Sequence, residues 1–263
     1  MTRRWPIHIS RRFLKVWRRD LIVYRKIWKI NLLTPVFEPL LYLLAFGVGL
    51  GSLVGKISYQ QHEVSYIAFI TPALLAVNIM YNAFFENTYA SFVRMYYQKT
   101  FDAMLATPLS LNEVITGEIL WGATKAVIAT VIMQIVISVF GLIHYPQGLL
   151  ILPLAFLGGL AFGAMGMLCT GFTPTIDVFN LPIFLLITPM FLFGGTFFPT
   201  DHLPSWAQKV ALLFPLTHLV EALRQVCFGL IQPGIGWHLA VLIGAFLVFF
   251  PLSLVVMHRR LIR

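Results

Sequence analysis

GGTFFPTDHLPSWAQKVALLFPLTHLVEALRQ, residues 194–225, is too apolar for a solvated loop and too broken for a membrane span. Pro199, Pro204 and Pro215 each lack a backbone donor, whereas crossing a bilayer takes about 20 uninterrupted helical residues. The stretch reads as two short helices parted at Phe214 and Pro215, lying in or dipping into a membrane face. The first opens at Leu203 and Pro204, because proline is tolerated in a helix's first turn. The second opens at Thr217, whose hydroxyl can cap orphan amides.

The rest of the chain supplies that membrane. Of 263 residues 59 % are hydrophobic and 11 % charged, against about 25 % charged in soluble domains. Six apolar runs qualify as spans, at about 32–54, 66–86, 117–141, 148–171, 178–198 and 236–257, by the length and charge criteria for transmembrane helices. The fold class is all-α integral membrane, organised as an interface helix over 1–30 and one six-span domain over 31–263. The short connections leave no room for a soluble catalytic domain, which takes about 50–200 residues.

A net charge of +9 suggests nucleic acid, but the placement of the cations points to a membrane surface. Ten of the nineteen precede the first span: Arg3, Arg4, Arg11, Arg12, Lys15, Arg18, Arg19, Arg25, Lys26 and Lys29. Arg259, Arg260 and Arg263 close the chain, and Arg94 and Lys99 lie in the second connection. The opposite side holds Lys56, Lys209 and Arg224. With six spans both termini share a side, and the positive-inside rule makes it cytoplasmic. Within residues 8–30, Ile9, Phe13, Trp17, Leu21, Tyr24 and Trp28 recur at spacings of three and four among basic residues. That is the pattern of an amphipathic helix lying along the cytoplasmic leaflet. A secretory leader is excluded, because the basic region is too long and no cleavage site follows a short apolar core.

Several motifs carry less than they promise. GLGSLVGKIS, residues 49–58, resembles a phosphate-binding loop, yet Leu50 stands where the first glycine belongs and Ile57 where the hydroxyl does. Its glycines, with Gly47, fit close helix approach in the first span. Gly159, Gly163 and Gly166 give the fourth span a small-residue face, which packs a helix either within one chain or across two. Cys169 and Cys227 fall on opposite sides and cannot pair within one subunit, so both read as structural cysteines. The seven histidines are scattered with no metal-binding spacing, and only His202 and His218 are candidates for intramembrane chemistry. Glu38 and Lys125 lie inside spans at similar depth from the cytoplasm. They form an intramembrane pair or face a polar cavity; the alternative is an interfacial Glu38 and a snorkelling Lys125.

The second connection, NTYASFVRMYYQKTFDAMLATPLSLNEVITGEIL (87–120), places Phe92, Met95, Tyr96, Lys99, Phe101, Ala103 and Met104 on a helix across the membrane base. Thr107 and Pro108 end it. Ser110 then caps a new helix, with Glu113 completing a capping box. The inner helix is either a docking element for a soluble partner or an ordinary interfacial helix.

Taken together, these residues resemble the membrane subunit of ABC-2 type exporters. SYIAFITPAL (65–74), KTFDAMLATPLSLNEVITGE (99–118) and the F-F-P, L-P, P-L-T and E-A-x-R series over 197–224 carry the likeness. It is strongest to the nodulation-type branch, associated with export of lipo-chitooligosaccharides. The resemblance implies a homodimer in the bacterial cytoplasmic membrane with two cytoplasmic ATP-binding subunits, which would hold the ATP and magnesium; this chain would carry no cofactor. Gln98, Lys99, Thr100, Phe101 and Asp102 would form the coupling helix that rests on the ATPase. Phe197, Phe198, Pro199, Leu203, Pro204, Trp206, Pro215, Thr217, Glu221 and Arg224 would line the extracytoplasmic gate. The substrate would be a lipid-linked or lipid-modified oligosaccharide; a drug-like amphiphile is the rival. A scaffold or intramembrane enzyme without transport is the alternative from another class.

Overall fold

Nothing in the sequence around residue 30 stops a helix, and the structure places no boundary there. The computed structural model describes residues 9–262 except Gln61; several side chains between residues 30 and 53, Glu38 among them, and that of His202 lie outside the described residues. Helix α1 runs Phe13–Tyr42 and continues through widened π turns over Leu43–Leu50 into a last turn, Gly51–Val54. The expected interface helix and first span are thus one continuous rod. Its packed face also differs from the aromatic stripe read from sequence. Among the described residues of α1, Val16 and Asp20 are the buried positions, flanked by half-buried Phe13, Trp17 and Tyr24, while Trp28 is exposed.

Beyond α1 the chain forms a small antiparallel hairpin that the all-α reading omitted. Strand β1 (Lys56–Tyr59) pairs with β2 (His62–Ser65), Ile57 opposite Val64. Gly55 turns into it at φ +68, a backbone conformation that only glycine adopts without penalty. Helix α2 (Tyr66–Tyr97) follows directly, with Ser65 accepting from the Ala68 amide. After the short α3 (Thr100–Leu105) come α4 (Leu111–Val139), α5 (Gln147–Phe172) and α6 (Ile176–Phe193). A pair of helices, α7 (Ser205–Ala211) and α8 (Pro215–Phe228), bends by 86° at its break, and α9 (Ile235–Leu261) closes the fold. Among the described residues five helices are long and apolar enough to cross a membrane, or six if the bent pair is one span.

The second span is longer than the sequence suggested. Its helix does not stop at Phe85 but runs through π turns at Glu86–Ala90 and Val93–Tyr97. The inner helix expected from Phe92 onward is therefore mostly the end of α2, and only Thr100–Leu105 is a separate element. The capping box at the start of α4 forms as the spacing indicates. Ser110 Oγ accepts from the Glu113 amide and Glu113 Oε2 accepts from Ser110 N at 2.8 Å.

Helices α2, α4 and α5 make the central bundle, and the small residues of α5 set its tightness. A Cβ on Gly159 would lie 2.8 Å from Ala123 Cα, and one on Gly166 2.7 Å from the Phe84 carbonyl. The glycine face therefore packs within this chain. In α1, by contrast, a Cβ on Gly49 would meet nothing within 4 Å. The two ends of the bundle differ in kind. At the basic end the N-terminal part of α1, the α2–α4 connection and the end of α9 converge, with the Arg260 guanidinium 5.3 Å from the Tyr96 ring. At the hairpin end Tyr59 packs on Phe69 and Phe228.

Candidate coupling and gate sites

At the basic end a sharp turn presents polar groups on an apolar anchor. Lys99 adopts a left-handed conformation (φ 53), which ends α2 and redirects the chain into α3. Phe101 is fully buried and Met104 nearly so, in a cluster with Val16, Phe92, Met95 and Ile115. Gln98, Lys99 and Asp102 are exposed, and the Lys99 and Asp102 side chains approach to 4.0 Å. Tyr96 and Tyr97 widen the exposed surface. A buried aromatic thus fixes the position of a small charged ridge.

Immediately behind this ridge lies a buried ion cluster. Arg94, at the end of α2, donates from Nη1 to Glu86 Oε1 at 2.8 Å and from Nε to Glu118 Oε2 at 2.9 Å. Lys125 Nζ donates to Glu86 Oε2 at 2.7 Å, Trp121 Nε1 to Glu86 Oε1 at 3.1 Å, and Ser91 Oγ to Glu118 Oε2 at 2.7 Å. Asp20 of α1 closes the group, paired with Arg19 at 2.9 Å. Burial pushes the Asp20 carboxyl up to about 7, with Glu118 adding to the shift and Arg94 and Arg19 opposing it. Removing charges from water is costly, and such a cluster holds only because each ion meets opposite charge and hydrogen bonds. It joins α1, α2 and α4 at one point. Lys125, for which the sequence offered Glu38 or a polar cavity, pairs with Glu86 and also lines a cavity of about 420 Å³.

At the hairpin end the candidate gate residues divide. Pro199, Thr217, Glu221 and Arg224 line one cavity of about 270 Å³ together with Tyr59. Trp206 and Phe198 are exposed on the outside, and Phe197 packs between Phe46 and Phe191. Pro204 caps α7 and Pro215 opens α8, as their missing donors require. Thr217 does not cap the amides of α8. Its hydroxyl donates back to the Ala211 carbonyl at 2.7 Å and holds the bend closed. Arg224 is buried: Nε donates to the Phe69 carbonyl, Nη2 to the Gly195 carbonyl, and the guanidinium lies 3.8 Å from the Phe69 ring centre. Glu221 stays 3.8 Å from it and accepts from the Tyr59 hydroxyl. Burial and the Glu221 carboxylate push the Tyr59 phenol well above its ordinary value, so it remains a donor.

Two histidines that are scattered in sequence meet here. His218 Nε2 lies 2.9 Å from the Leu212 carbonyl and His218 Nδ1 2.9 Å from His238 Nδ1. A carbonyl only accepts, so in the neutral pair His218 carries its proton on Nε2 and accepts at Nδ1 from His238. The bond ties α8 to α9.

A family model described as ABC-2 type transporter matches residues 11–228. The chain belongs to this family. Curated relatives agree across nearly the whole length. Nodulation protein J of Rhizobium leguminosarum bv. viciae is 36 % identical over 95 % of each chain. Nodulation protein J of Rhizobium meliloti (strain 1021) is 34 % identical over 95 % of this chain and 94 % of its own. The inner membrane transport permease YadH of Escherichia coli (strain K12) is 24 % identical over 82 % of each. The chain is an ABC-2 permease of the nodulation protein J branch, a multi-pass integral membrane protein and a transport component.

In this ABC-2 permease the sequence reading had singled out Lys125 but missed Asp20, Glu86, Glu118 and the role of Arg94. A signal was present. Glu118, Trp121 and Lys125 fall at i, i+3 and i+7, one face of α4, and such a face facing two acidic residues marks a buried network. Glu86 and Glu118 looked like residues at the ends of apolar runs, so their burial was invisible without the partner helix.

Proposed function

We propose that this permease exports a lipid-linked or lipid-modified oligosaccharide from the cytoplasm, driven by ATP hydrolysed on separate subunits. The basic end faces the cytoplasm, by the distribution of lysine and arginine. Two copies of the permease associate with two ATP-binding subunits, which bring the nucleotide and its magnesium. Gln98–Asp102 is the docking ridge, and the bent pair α7–α8 with Arg224 and Glu221 is the outer gate. The observation that carries this reading is the ridge itself: exposed Lys99 and Asp102 held by a fully buried Phe101 at the basic end. Such an anchored surface transmits a push from a soluble partner into α2 and α4 rather than yielding locally. ATP acts on the transport path only if the complex binds it differently in its two conformations. The substrate class rests on the branch, since relatives 34–36 % identical over nearly the whole chain are named for nodulation.

Co-expression with a candidate ATP-binding subunit tests the assembly. The expected result is a co-purifying complex with vanadate-sensitive ATP hydrolysis that falls when Lys99 or Asp102 is changed. A permease that purifies free of any ATP-binding subunit defeats the proposal. Export of a drug-like amphiphile instead of a glycolipid by the intact complex would retain the mechanism and replace the substrate.

A further inference from the structure

Helices α2, α5 and α9 end together at the basic end and leave a cleft of about 670 Å³ between them. Tyr96 forms one wall, Phe172 and Pro174 the second, and Val256, Arg259 and Arg260 the third. The floor is closed where α5 and α9 touch at a glycine: a Cβ on Gly171 would lie 2.7 Å from Val256 Cγ1. Arg260 is half buried, and its Nη1 donates to the Thr170 carbonyl. Its guanidinium lies 5.5 Å from the Phe92 ring centre and 5.3 Å from that of Tyr96. Arg259 is exposed. Among the described residues neither arginine is paired with a carboxylate, whereas Arg94, at the same end, meets two. The cleft therefore presents two cations without counter-charge, and a guanidinium fork matches phosphate oxygens.

An apolar track leads into the cleft from the middle of α9. Val248, Leu252, Val255 and Arg259 fall at i, i+4, i+7 and i+11 on one face of the helix, and all are exposed. At 1.5 Å per residue the track is about 16 Å long, the depth of one leaflet in a hydrocarbon core of about 30 Å. Phe172 adds an exposed ring at the mouth. Inorganic phosphate or a carboxylate of a soluble partner would engage the arginines and leave the track bare. A molecule with an acyl chain and an anionic head covers both, and basic clefts between spanning helices are where anionic headgroups collect. We infer that this cleft holds an anionic phospholipid, its phosphate between Arg259 and Arg260 and an acyl chain along residues 248–255. The site does not depend on which substrate is exported. It braces three helix ends at once, and Tyr96 is the wall it shares with the docking ridge, since Lys99 Nζ lies 5.8 Å from that ring centre.

The test uses the purified full-length permease in micelles doped with phosphatidylglycerol or with phosphatidylcholine, and native mass spectrometry counts the lipid each chain retains. The expected result is saturable retention of phosphatidylglycerol over phosphatidylcholine, with a thermal midpoint that rises with occupancy. Arg259→Gln weakens retention about fivefold, the weight of one basic side chain at an anionic headgroup. Leu252→Gln, which breaks the track and leaves the charge, weakens it also. Arg18→Gln removes the same charge from the exposed surface of α1 and leaves retention unchanged. All three positions are exposed, so thermal midpoints in lipid-free micelles stay at the wild-type value. Equal retention of the two lipids, an equal loss in Arg18→Gln and Arg259→Gln, or retention that Arg259→Gln leaves intact overturns the inference. So does displacement of the lipid by an equal concentration of inorganic phosphate, which makes this a free phosphate site. Dissociation of a dimer by Leu252→Gln with lipid retention unchanged assigns the track to a second copy of the chain and overturns it too.

Discussion

Two arginines, Arg94 largely buried and Arg224 fully so, lie at opposite ends of the molecule and are stabilised by opposite means. Arg94 at the basic end is held by two buried carboxylates, Glu86 and Glu118, on different helices. Arg224 at the hairpin end is held by two carbonyls and an aromatic face, with its carboxylate neighbour, Glu221, 3.8 Å away and partly exposed. An ion held by ions is expensive to disturb, because removing it strands charge of the other sign. Removing Arg224 leaves two carbonyls and a carboxylate, Glu221, that is partly open to solvent. The difference separates a cluster that ties three helices together from a bent pair whose arginine is held mainly by neutral groups.

Substitution of Arg94 breaks the comparison most directly. Arg94→Ala leaves Glu86 and Glu118 buried with Lys125 as their nearest remaining counter-ion, and should cost about 3–5 kcal/mol, read as a large fall in thermal midpoint or loss of monodisperse protein. Arg224→Met preserves most of the apolar stem and strands two carbonyls; the expected cost is about 1.5–3 kcal/mol. A larger loss for Arg224→Met than for Arg94→Ala would reverse the contrast drawn here. The Asp20 carboxyl sharpens it through pH. Its folded value of about 7 lies above the ordinary aspartate value, about 3.9 in an unfolded chain. Asp20 therefore contributes stability that is full below pH 4 and lost as pH rises through 7. Asp20→Asn should abolish that loss, raising the melting temperature relative to the wild type by about 2–4 °C more at pH 8.5 than at pH 5.5. Equal shifts at both pH values would show that Asp20 does not titrate in the cluster. Smallest in stability is the exposed ridge. Lys99→Ala and Asp102→Ala should change stability by less than about 0.5 kcal/mol, while lowering ATP hydrolysis by the assembled complex.

How much of this was legible in sequence differs between the same two regions. The bent pair α7–α8 is written in local chemistry, because Pro204 and Pro215 each remove a donor wherever the chain lies. The capping box of Ser110 and Glu113 is equally local. The end of α2 was misplaced because a charged residue, Glu86, looked like the limit of an apolar run. Its charge is instead neutralised inside the fold by Arg94 and Lys125, and the helix continues. The role of Thr217 was also misassigned: the bend brings the Ala211 carbonyl within reach, and that partner exists only after the turn has formed. The hairpin was missed because its two strands are four residues each, too short for alternation to register. Side chains that act across helices, Asp20 toward Arg94 above all, have no signature within one helix.

Helix α2 reaches from the hairpin to the docking ridge without a break, 32 residues or about 48 Å at 1.5 Å per residue. Its widened turns fall between Glu86 and Tyr97, all in the third nearest the ridge. Mechanically that makes it a stiff lever with its compliance concentrated at the end next to the exposed ridge. A displacement at Lys99 either is absorbed in those loosened turns or is delivered undiminished to the hairpin and, through Tyr59, to Glu221 of the bent pair. The ion cluster sits at the junction between the soft and the stiff portions, where a clamp determines which of the two occurs.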